Sequence, residues 1–135
     1  MILFIAVSAE LARWLSLENL ERSHILSVLS AEARGDPAAM LAQLHGCVGR
    51  CRATVIADAR TLARPGHVLI LADQSATAYA FTSTAGYTRI AWEAGSRLPV
   101  VQCVKVSRTG NALSGLTVRL LAVSAQIPGT ADCPR

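Results

Sequence analysis

The sequence predicts a single α+β domain: a long N-terminal helix plus short helices packed on an antiparallel β-meander of about five strands. Three observations carry this. Apolar residues recur at helical spacing up to Arg34, the apolar period changes after Gly66, and short turn signals separate the later apolar runs. At 135 residues the chain suits one domain with its own core.

In the first helix, expected over 3–34, Leu11, Trp14, Leu17, Leu20, His24 or Ile25, and Val28 follow at steps of three or four. Glu18 and Glu21 read there as solvated partners of Arg22 and Arg13. Gly35 is a natural stop, while Asp36 and Pro37 supply an N-cap and first-turn proline for a second helix reaching about His45. Gly46-Cys47-Val48-Gly49 turns the chain, and a third helix over 52–63 aligns Val55, Ile56, Ala59 and Leu62. Arg64-Pro65-Gly66 stops it.

Strands are expected over 67–72 (HVLILA, as a buried strand), 76–82, 87–92, 100–107 and 116–124. Turns are expected at Asp73-Gln74-Ser75, Ala85-Gly86, Glu93 to Ser96 and Arg108-Thr109-Gly110-Asn111. Such short connections favour antiparallel pairing, because parallel crossovers need a dozen or more residues. In the last strand Leu116, Val118, Leu120 and Ala122 form an apolar face, opposite Thr117, Arg119, Leu121 and Val123. Val104 and Val106 join the first set as expected core. A working division is 1–34 as an assembly helix and 35–135 as the globular α+β part of one structural domain.

The composition is 52% hydrophobic with a mean hydropathy of +0.39, which is apolar for a chain alone in water and implies a partner for some of its surface. Net charge is +4, with arginine supplying 12 of the 13 bases. Those arginines are scattered and the aromatics few, which argues against nucleic acid. Arg89, Arg97, Lys105, Arg108 and Arg119 in the sheet half form either a solvated face or a positive surface for an acidic ligand.

Four cysteines suit two disulfides in an exported protein, and the expected pairing is Cys47 with Cys51 and Cys103 with Cys133, one of three possible. A metal site from His45, Cys47 and Cys51 is the competing reading, although no second closely spaced cysteine pair is present. Buried free thiols stand between the two. No cofactor is expected. His45 beside Cys47 or Cys51 is the nearest approach to a nucleophile and base, but no P-loop, dinucleotide fingerprint, nucleophile elbow or paired-acid arrangement appears, and no catalytic residue is assigned.

Residues 1–9 (MILFIAVSA) are apolar on all sides and uncharged. Glu10 and Arg13 interrupt the run well short of the roughly 20 residues that a membrane span needs. No positive region precedes it as in a signal peptide, though Val7-Ser8-Ala9 has the form of a cleavage site. Transient contact with a membrane is compatible with this segment.

An apolar N-terminal helix that continues as an amphipathic one, then a connecting region, then the strand succession 68–72, 76–81, 87–92, 100–106 and 116–123 with a cysteine near the C-terminus, resembles a type IV pilin or type II secretion pseudopilin, including Tad-type minor pilins. The resemblance implies a non-enzymatic subunit of an extracellular or cell-surface filament whose partners are copies of itself and other pilin-like subunits. Ile2, Leu3, Phe4, Ile5 and Val7 would pack in the filament core, with the sheet displayed outside. Glu10 lies further in than the glutamate near a pilin's mature start. The alternative function is a secreted binding module whose Arg-bearing sheet takes an acidic ligand, and a third is a small cysteine-dependent enzyme around His45, Cys47 and Cys51.

Overall fold

The computed structural model describes residues 1–75, 83–111 and 115–134, with side chains described except at 10, 13, 14, 16–18, 75, 83, 84, 111 and 116. The elements are α1 (Ile2–Ala33), α2 (Pro37–Ala42), α3 (Arg50–Thr61), β1 (Val68–Ser75), β2 (Ser83–Ala94), β3 (Val100–Asn111) and β4 (Gly115–Val123). The four strands form one antiparallel sheet in the order β1-β2-β3-β4.

Gly35 ends α1 with φ 68°, a left-handed conformation that a side chain would disfavour. The Asp36 carboxylate then accepts from the Ala39 amide at 3.0 Å and caps α2, with Pro37 in its first turn. Gly66 (φ 108°) lies so close to Gly95 that a Cβ there would fall 2.7 Å from the Gly95 nitrogen, which seats the start of β1 against the β2–β3 connection.

The expectation of about five strands is corrected to four among the described residues. Asp73 and Gln74, read as a turn, pair with Ile90 and Arg89, while Gly86 pairs with Val106 inside β2. Likewise Arg108 to Asn111 continue β3 instead of turning. Turn-forming residue types sit in these ladders because long neighbouring strands satisfy their backbone groups. The expected strand over 76–82 lies outside the described residues.

The inner face of the sheet presents Thr88, Ile90, Trp92, Val100, Gln102, Val104, Val106, Arg108, Val118 and Leu120, all buried. Against it pack Ile25, Val28 and Leu29 of α1, Met40 of α2, and Val55 and Ala59 of α3. Near its end β4 bulges: Leu120 faces Val106 and Ala122 faces Lys105, so Leu121 is the extra residue. A bulge reverses the alternation after it. Val123 is therefore in the core and Ala122 is not, the opposite of the expected assignment. Leu116, also expected in the core, has its side chain outside the described set.

A similar irregularity between Ile70 and Ala72 affects β1, which is an edge strand. The run read as buried is only half so, with Leu69 and Leu71 more than half exposed.

Leu120 is 2% exposed. Leu120→Ala is expected to cost about 2 to 4 kcal/mol by cavity formation, measured by urea denaturation. A cost below about 1 kcal/mol would show that this face is not the packed one.

Candidate functional site

Only part of α1 lies on the sheet. Glu21 reaches Arg108 and Thr88, while Glu32 reaches Gln102, so α1 runs antiparallel to β3. Residues 2–20, about 28 Å of helix, therefore run toward the end of the sheet at which β2 and β4 begin, and because β3 reaches only about 10 Å past Arg108, the first dozen residues extend beyond it. Every residue from 1 to 9 is exposed, and Leu11, Leu15 and Leu20 are exposed too. Among the residues singled out for assembly, Phe4 is 77% exposed and Ile2, Leu3, Ile5 and Val7 are each more than half exposed. No apolar stripe distinguishes one side of this tip, so no single docking face would cover it. No described helix is long and apolar enough to cross a membrane.

The second half of α1 is fixed by buried polar groups. The Glu21 carboxylate accepts from Thr88 Oγ1 at 2.7 Å and from Arg108 Nε at 2.8 Å, with both partners of the ion pair almost fully buried. This corrects two expectations, since Glu21 is not a solvated partner of Arg22 or Arg13 and Arg108 is not part of an outer basic face. Further along, Trp92 Nε1 donates to Gln102 Oε1 at 2.7 Å, and Gln102 Nε2 donates to Glu32 Oε1 at 2.7 Å and to the Ser124 carbonyl at 3.0 Å. Asp58 of α3 is the third carboxyl acceptor on the inner face, 3.5 Å from Gln102 Nε2. The Arg64 guanidinium lies over the Trp92 ring, 5.2 Å from its centre. Burial pushes Glu32 up to about 8 and Asp58 up to about 7.

The cysteines form Cys47–Cys51 and Cys103–Cys133. The first clips the turn between α2 and α3, where His45 is exposed, and so leaves no thiol for a nucleophile or metal. No group of three or more potential metal ligands occurs among the described residues. The second bond holds the C-terminal tail to the outer face of the sheet. That tail pairs Ile127 with Val101, and its Gly129 and Ala131 carbonyls accept from the Arg89 guanidinium. The supposed basic face thus loses Arg89 to the tail and Arg108 to the core. Arg97 lies on the β2–β3 connection, and Lys105 and Arg119 remain on the outer side.

No protein-family model matches the chain, and no curated protein or solved structure matches it either.

Proposed function

We propose that the chain is a non-enzymatic structural subunit of an extracellular, pilus-like filament, self-associating through the apolar tip of α1. The observation supporting this is the exposure of Ile2, Leu3, Phe4, Ile5 and Val7 on all sides of a helix whose first nine residues are all exposed. Apolar surface is worth about 25 cal/mol per Å2 when removed from water, so a helix tip of this kind is an unsatisfied surface until neighbours surround it. Repetition of one head-to-tail contact supplies such neighbours without closing a ring. The resemblance to pilins and Tad-type subunits favours the same reading, and two disulfides suit export. A secreted binding module for acidic ligands is the less favoured reading, because Arg89 and Arg108 of the sheet are engaged by the C-terminal tail and by Glu21.

Light scattering and electron microscopy test the proposal. The full chain is expected to form concentration-dependent oligomers or filaments, whereas a variant lacking residues 1–9 is expected to be a folded monomer with an unchanged urea midpoint. A full chain that stays monomeric at high concentration, or a deletion that unfolds, would sink it.

A further inference from the structure

We propose that Glu32, Asp58 and Gln102 form a proton-dependent clasp that fastens α1 and α3 to the sheet and slackens as the carboxyl groups ionise. The orientation of its central amide is dictated by its neighbours. Trp92 Nε1 has only a donor to offer, so Gln102 must turn Oε1 toward it and Nε2 toward the carboxyl groups. The two Nε2 hydrogens meet the carbonyl of Ser124 and Glu32 Oε1, and the longer 3.5 Å approach to Asp58 shares what remains. Glu32 Oε2, in a fully buried residue, has no hydrogen-bond partner. An ionised carboxylate would leave that oxygen charged and unsolvated, at far greater cost than a neutral hydroxyl.

The charges around the pair reinforce this. Glu32 on α1 faces Asp58 on α3, a like charge that disfavours double ionisation. Arg64, after α3, acts in the opposite sense on Glu32, but its guanidinium donates to the carbonyls of Leu62 and Leu98 and is itself opposed by Arg97. Among the described residues the sheet brings the neutral Gln102 and Trp92; the Gln102 amide, donating to Glu32, favours the ionised form, but less than burial opposes it, and the Glu21–Arg108 pair lies three helical turns away.

The direction of the effect follows from linkage. Folded-state values near 8 and 7 lie above the ordinary carboxylate range, so the folded protein keeps protons that the unfolded chain releases. The stabilisation is complete below about pH 4 and lost as pH rises through 7 to 8. For each carboxyl that stays protonated, the unfolding constant is expected to rise about tenfold per pH unit between pH 5 and 7. The test uses the full oxidised chain. Urea unfolding is followed from pH 5 to 9 in wild type, Glu32→Gln and Asp58→Asn, together with the indole N–H resonance of Trp92, assigned by its loss in Trp92→Phe. Each carboxyl substitution is expected to flatten the pH profile by its own tenfold step, and the indole signal to shift with the same midpoint. An unfolding constant that changes less than about threefold across the range, or an indole signal that does not titrate, overturns the clasp. Should either variant fail to fold, the wild-type indole titration decides.

Discussion

Arg108→Ala is expected to destabilise the fold by about 3 to 5 kcal/mol, the largest effect of any single side chain considered. Arg108 is 3% exposed and donates through Nε to the buried Glu21 carboxylate, which also accepts from Thr88. Truncation strands that carboxylate without its countercharge, and the penalty of an unpaired buried charge exceeds what the pair contributes when intact. Removing both partners should therefore cost less than the sum of the single changes. Urea denaturation of Glu21→Leu, Arg108→Leu and the double variant measures the coupling. Additive effects, or a single cost near that of a surface pair at about 1 kcal/mol, would mean that the bridge is solvated in solution.

Loss of the Cys103–Cys133 bond should cost about 3 to 4 kcal/mol on the chain-entropy account for a loop of this length. The tail has little core of its own: Ile127 is half-buried, and the strap is otherwise held by backbone pairing and by Arg89. Cys103→Ala with Cys133→Ala should lower the urea midpoint and speed hydrogen exchange at the Ile127 amide, which donates to Val101. The Cys47–Cys51 bond closes a much shorter loop, so Cys47→Ala with Cys51→Ala should cost less. An undiminished midpoint in the first double variant would show that the tail is held without the bond. Finding four alkylatable thiols without reductant would refute both pairings.

Local signals were legible where chemistry near in sequence decides the outcome. Gly35, Asp36 and Pro37 mark the α1–α2 corner because stop, cap and first-turn proline act within a few residues. The strand cores at 100–107 and 116–123 were readable from β-branched alternation. What stayed hidden depends on partners far along the chain. Glu21 and Arg108 are 87 residues apart, and Glu32 and Gln102 are 70 apart. A glutamate between helical charges looks solvated until a buried arginine is brought to it. The bulge at Leu121 is similarly invisible, since nothing in LTVRLLAVS marks where one residue is left unpaired. The exposed tip of α1 was legible as apolar on all sides, but which part of the helix meets the sheet was not.

The antiparallel course of α1 along β3 has a mechanical consequence. The two attachment points, at Glu21 and Glu32, lie about 16 Å apart on the helix axis, and Glu21 is held by Thr88 of β2 as well as by Arg108 of β3. Tension applied through the tip of the helix reaches Glu21 first, so this strand pair takes the load before Glu32 is strained. A pull on the tip would thus be resisted by two neighbouring strands at once.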